Sequence, residues 1–97
     1  MKTSSDAIYR LQVAVEDYQE LKLTGPPLSV APDRGGNSDV YDLWFEHNGL
    51  PKSWGIYVLG TGHPVPWNRI TRYMYRFLGT VVTPMGLVWH VFTGPLR

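Results

Sequence analysis

Asn68-Arg69-Ile70-Thr71-Arg72-Tyr73-Met74-Tyr75-Arg76-Phe77-Leu78-Gly79-Thr80-Val81-Val82-Thr83 is the stretch on which the fold class turns. Read at 3.6 residues per turn, Ile70, Tyr73, Met74, Phe77 and Leu78 share one face. Arg69, Arg72 and Arg76 then take the other, with Asn68 a good N-cap. Read at period two, Tyr73, Tyr75 and Phe77 alternate with Arg72, Met74 and Arg76. The β-branched run Thr80–Thr83 and the glycine before it decide for strand in the later part. The expectation is a short helical turn near residues 67–71, then a strand from about Tyr73 to Thr83 with a bulge near Gly79.

Working outward, the rest of the chain reads as short strands between turn residues. Ile8–Val15 alternates Tyr9, Leu11, Val13 and Val15 against Ile8, Arg10 and Gln12, with one slip at Ala14. Glu16-Asp17 reads as a turn, so a hairpin with Tyr18–Leu23 is expected. Pro26-Pro27 ends that strand, because proline cannot donate to a ladder. Leu28–Ala31 is a short third strand, and Pro32–Asp39 is a loop dense in turn residues, expected to be a mobile tip. Val40–His47 is apolar on both faces and should be central. Asn48-Gly49 suits a positive-φ turn before Trp54–Leu59. Pro84-Met85-Gly86 turns the chain into Leu87–Phe92, whose nearly unbroken apolar run suggests burial on both faces or a subunit contact. Six or seven strands with at most one helical turn predict an all-β domain, a compact antiparallel barrel or sandwich with meander connections. The chain is read as one domain over 1–97, with residues 1–6 a flexible N-terminus and 94–97 a tail.

Composition narrows the function classes. In 97 residues there are 4 Trp and 6 Tyr, enough aromatic area to build a core that length alone would make marginal. Cys is 0, which excludes disulfides and thiolate metal sites. No apolar run approaches the roughly 20 residues of a membrane span, and Met1–Asp6 lacks a signal-peptide core. A cytoplasmic setting is expected. The net charge of +1 hides a split: residues 1–50 carry 4 cations and 8 carboxylates (−4), residues 51–97 carry 5 cations and none (+5). Such a split marks either a basic binding face or two halves that neutralise each other across a sheet.

Gly60-Thr61-Gly62-His63-Pro64, Gly79-Thr80-Val81-Val82 and Gly86–Phe92 resemble, in this order, a family of small bacteriophage proteins familiar from phages of actinobacteria. Their pattern is a G-T-G-H-P stretch, a later G-T strand and a closing V-W-H-V-F strand. Ile8-Tyr9-Arg10 and Asp42-Leu43-Trp44-Phe45 are similar to it too, so the likeness spans most of residues 8–93. Trp67–Tyr75 looks longer than the family's usual link. The resemblance implies a phage accessory protein acting in the host bacterial cytoplasm, and it implies no activity.

Chemistry-bearing groups are sparse. Gly60-Thr61-Gly62 lacks the Gly-Lys-Ser/Thr end of a phosphate loop and the third glycine of a dinucleotide fingerprint, so Gly60, Gly62, His63 and Pro64 read as a structural turn. His47, His63 and His90 match no metal-ligand spacing, and Ser29, Ser38 and Ser53 look like turn residues. No cofactor and no catalytic group is expected; a hydrolase built on His63 or His90 would need a carboxylate from the first half. Trp67, Arg69, Arg72, Tyr73 and Arg76 are the candidate binding residues, because Trp, Tyr and Arg dominate protein-interface anchors. The same composition suits stacking on single-stranded nucleic acid, the second reading. A host or phage protein is therefore the expected partner, and self-association through Leu87–Phe92 is expected as well.

Overall fold

The computed structural model describes residues 6–97, so most of the expected flexible N-terminus lies outside the described residues. Seven strands run in order: β1 (Ala7–Ala14), β2 (Tyr18–Leu23), β3 (Pro27–Pro32), β4 (Val40–His47), β5 (Lys52–Gly60), β6 (Arg76–Val82) and β7 (Val88–Gly94). One 3-10 turn, Arg72–Met74, stands between β5 and β6. The protein is all-β, as its alternating patterns predict. All strand pairs are antiparallel, in two sheets ordered β1-β4-β3 and β2-β5-β7-β6.

One long bent hairpin organises both sheets. β2 and β3 form one arm and β4 and β5 the other, with the Asp33–Asp39 loop at the tip. Both arms cross from one sheet to the other at the same level. There the Thr24 carbonyl accepts from the Asn48 and Gly49 N–H groups, at 3.1 and 3.0 Å. A Cβ on Gly25 would lie 1.8 Å from the Glu46 carbonyl oxygen, so the arms can touch only with glycine at that bend. Pro26 accepts from Glu46 N at 3.0 Å while donating nothing itself, which ends the ladder where the chain must turn away.

This arrangement corrects two expectations. β1 and β2 do not form a hairpin: Glu16-Asp17 carries the chain from one sheet to the other, and β1 pairs β4 while β2 pairs β5. Alternation gives a strand its faces but not its neighbour, and the longer apolar strands β4 and β5 are what the amphipathic β1 and β2 need as cover. The meander is likewise replaced by sheet-crossing connections, with only β3–β4 and β6–β7 adjacent in both sequence and sheet. β4 is central, as its two apolar faces suggest.

The core lies between the sheets. Val13, Tyr41 and Leu43 come from one sheet, and Leu23, Ile56, Val58, Leu78, Val81 and Val91 from the other. Each is buried, and burial of such a side chain contributes about 1.5–3 kcal/mol. The sheets also meet edge to edge on one side, at β3 and β6. There Gly79, in the left-handed half of backbone space at φ +150°, sits against Val30, whose Cγ2 would be 3.1 Å from an added Cβ. The register of β6 on β7 shifts between Phe77 and Gly79, so the bulge falls where the sequence suggested and turns Leu78 into the core. The result is a sandwich seamed along one side, and not a closed barrel.

The Pro32–Asp39 loop is tied down. One carboxylate, Asp33, accepts from Gly35 N at 3.1 Å, Asn37 N at 3.0 Å and Gln12 Nε2 at 2.9 Å. Those donors, the Asn37 N–H foremost, hold its acid below the usual carboxylate range. Ser29 and Ser53 sit within strands β3 and β5, not in turns.

Candidate functional site

The outer face of the four-stranded sheet is where the arginine-rich segment goes. The chain leaves β5 through a turn in which His63 N donates to the Gly60 carbonyl at 3.0 Å. Gly62 has φ +88°, and the His63 ring lies so close over Gly60 that a Cβ there would sit 2.8 Å from Cε1. A side chain at either position would reopen the turn.

Asn68 organises the next step. Its Oδ1 accepts from Ile70 N at 2.8 Å and Thr71 N at 2.9 Å, and its carbonyl accepts from Arg72 N at 3.0 Å. The helical turn expected at 67–71 is thus an Asn68-anchored turn, and the 3-10 geometry falls later, at Arg72–Met74. Strand β6 accordingly starts at Arg76 and not at Tyr73. Helical spacing and strand alternation were both present in this stretch because each governs one half of it.

The loop is stapled to the sheet by aromatic rings. Tyr18 meets Tyr57 at 5.0 Å between centroids, Tyr57 meets Tyr75 at 5.1 Å, and Tyr75 meets Trp67 at 4.9 Å. Trp67 meets Phe92 at 4.7 Å and Phe92 meets Phe77 at 5.2 Å, completing an unbroken row of six rings. Such pairs add about 0.5–1.5 kcal/mol each beyond their area. Gly94 admits the row, since a Cβ there would strike the Tyr75 ring at 2.5 Å. Burial, then the neighbouring Tyr75, pushes the Tyr57 phenol up, and its hydroxyl donates to the Pro95 carbonyl at 2.5 Å.

Two cations lie on this row. The Arg72 guanidinium stands 5.2 Å from the Trp67 ring centre, and that of Arg97 stands 4.8 Å from Tyr18 and 5.5 Å from Tyr57. Residues 94–97, expected to be a tail, are therefore docked: Arg97 N also donates to the Tyr18 hydroxyl at 3.0 Å.

The structure divides the five expected binding residues. Trp67 is half-buried against the sheet, and Arg72 packs on it. Arg76 reaches sideways to the Pro27 carbonyl and helps close the seam with β3. Arg69 and Tyr73 face solvent, and Tyr73 is 81% exposed. Ile70, equally exposed at 81%, and half-exposed Met74 stand beside them in the chain, and neither was singled out. Tyr18, Tyr57, Phe92 and Arg97 were missed too, because only the strand pairing brings them under the loop.

Two of the three imidazoles lie beside the Phe77–Phe92 end of the aromatic row, while His47 is on β4 of the other sheet. His63 and His90 line one shallow cleft of about 270 Å³ with Val65, Phe77 and Phe92. His90 is held between two hydroxyls, Thr61 Oγ1 at 2.7 Å from Nε2 and Thr80 Oγ1 at 3.0 Å from Nδ1. Among the described residues no hydrogen bond joins either imidazole to a carboxylate, and no group of three metal-ligating side chains occurs. Asp17 lines a neighbouring cleft of about 370 Å³ with His63 and Arg97. Among the described residues the ion pair is Arg10–Asp42 at 2.9 Å, wholly within the acidic half, so the basic half is not neutralised by close pairing. No described helix is long and apolar enough to cross a membrane.

Residues 4–97 match a domain of unknown function, DUF7352. The chain belongs to that family. The match covers both sheets and the whole aromatic row, so the stapled loop lies inside the family's domain and is not an appendage to it. No curated protein and no solved structure matches the chain.

Proposed function

We propose that this is a non-catalytic binding protein, a phage accessory protein that docks on a host or phage protein in the bacterial cytoplasm. The phage and host setting rests on the sequence resemblance; the docking surface rests on the loop. The observation that carries it is the exposed crest of Arg69, Ile70, Arg72, Tyr73 and Met74, held on a base of packed, mutually tilted rings. Exposed Ile70, Tyr73 and Met74 fall together on one short segment, the kind of apolar grouping that marks interaction sites, and a rigid base lowers the ordering cost of binding. The crest carries Arg69 and Arg72, and no carboxylate side chain follows Glu46 in the chain. An acidic protein surface with an apolar pocket is the complementary partner.

Nucleic acid fits this surface less well. Stacking bases requires free ring faces in series, whereas Trp67 and Tyr75 spend theirs on the sheet, on each other and on Arg72. Affinity capture from bacterial lysate, comparing the natural chain with an Ile70→Asp/Tyr73→Asp variant, tests the reading. Both substituted side chains are solvent-exposed, so the variant should keep its fold and melting temperature while losing the captured protein. Equal capture by both chains, or anisotropy showing oligonucleotides held as tightly as any protein, would overturn it.

A further inference from the structure

The two sheets have four edges among the described residues; β3 and β6 close on each other, and β2 is guarded by charge. β3 begins and ends in proline and packs against β6, with Arg76 donating to Pro27 and Gly79 seated on Val30. The β2 edge carries Glu20 and Lys22, charges that discourage a further strand. β1 has none of these defences. Its one charge, Arg10, is held by Asp42 of the adjacent strand at 2.9 Å, and Ile8, Tyr9 and Leu11 are 63%, 49% and 37% exposed. The apolar last strand does not supply a subunit contact by edge pairing, since β7 lies between β5 and β6.

We propose that β1 pairs antiparallel with β1 of a second copy of this chain, about a two-fold axis through Leu11, giving one six-stranded sheet. A two-fold axis normal to a sheet sets one residue opposite itself, with the pleat preserved across the join. Centred on Arg10, the join would oppose two guanidinium groups. Centred on Leu11, it sets Leu11 against Leu11, Tyr9 against Val13, Arg10 against Gln12 and Ile8 against Ala14. Every facing pair is then apolar or cation-to-amide, with no like charges opposed. The overlap of residues 8–14 forms about six to eight backbone hydrogen bonds and covers the exposed faces of Tyr9 and Leu11.

This surface is distinct from the crest at Ile70 and Tyr73, so either can fail without the other. Sedimentation of the full chain across the micromolar range should show the mass doubling from 11.0 kDa. Because the chain has no cysteine, single substitutions read the register directly. Under mild oxidation Leu11→Cys should yield a disulfide-linked dimer, whereas Gln12→Cys and Ile8→Cys should not, their copies lying too far apart. Leu11→Lys, with its circular dichroism unchanged, should stay monomeric. A natural chain that is monomeric throughout the range overturns the proposal. So does equal crosslinking at all three positions, or dimerisation only after residues 2–5 are removed, which would show the edge covered by the chain's own N-terminus.

Discussion

Tyr41 offers a test of how the core is held together. It lies on the central strand β4, is 0% exposed, and its hydroxyl has no hydrogen-bond partner among the described residues. A hydroxyl taken out of water without a partner costs about 1–3 kcal/mol on mutational scales. Tyr41→Phe keeps the ring and removes that cost, leaving a gap no larger than one oxygen. Allowing for weaker dispersion attraction around that gap, a net gain of about 1 kcal/mol is expected, or a rise of about 4–8 °C in melting temperature for a domain of this size. Differential scanning calorimetry at neutral pH and urea unfolding with an unchanged m-value check it.

The same residue sets an alkaline signature. Burial alone pushes the Tyr41 phenol well above its ordinary value. The folded chain then keeps this proton when the unfolded chain loses it, so the contribution is fully present below about pH 10 and is lost above it. The slope reaches about 1.4 kcal/mol per pH unit. Tyr41→Phe should be less steep by about half that amount at pH 10 and by nearly all of it at about pH 11. A variant that melts several degrees lower at neutral pH, with the alkaline slope unchanged, would mean that the hydroxyl has a partner, such as an enclosed water, and would refute the reasoning.

Two further outcomes follow from single interactions. Asp33 has a lowered pKa, through the Asn37 N–H foremost, so its contribution is present above about pH 4 and lost as pH falls through the folded value; Asp33→Asn should flatten the acid limb of a melting-temperature profile while lowering stability at pH 7. Gly79→Ala places a methyl 3.1 Å from Val30 Cγ2 at a φ of +150°, and should cost about 1–3 kcal/mol by urea unfolding, with part recovered in the Gly79→Ala/Val30→Ala double variant.

Strand existence was legible in the sequence because each strand carries its own evidence. The alternation of Ile8–Val15 and the β-branched run Thr80–Thr83 are local facts, as is the glycine that permits the bulge. Partnership was not legible. Nothing in Glu16-Asp17 distinguishes a hairpin turn from a bridge between sheets, since both need only a short polar link. The sheet crossing at Gly25 is visible only once Glu46, 21 positions away, is known to lie against it. The candidate site was legible to the same extent. Arg69 and Tyr73 are exposed, as a contact surface needs, yet Trp67 and Arg76 are spent on holding the fold, and the partners that take them, Phe92 and Pro27, are distant in the chain.

The division of labour within the loop bears on what the domain can bind. An excursion as long as that from Gly60 to Arg76 would ordinarily be too mobile to present a defined surface. Here its middle is nailed by Trp67 and its exit by Tyr75, so the crest between them, Asn68 to Met74, has both ends fixed on the sheet. The Asn68 turn and the 3-10 turn then leave that crest few backbone options. Exposing Ile70 and Tyr73 on such a support has an energetic cost in the free protein that a flexible loop would avoid by folding them inward. The rings beneath deny it that escape, because the sheet face under the crest is already filled by Phe92, Phe77 and Tyr57. On the docking proposal the cover is a partner protein, and Arg69 and Arg72 on the crest set the sign of the charge it carries.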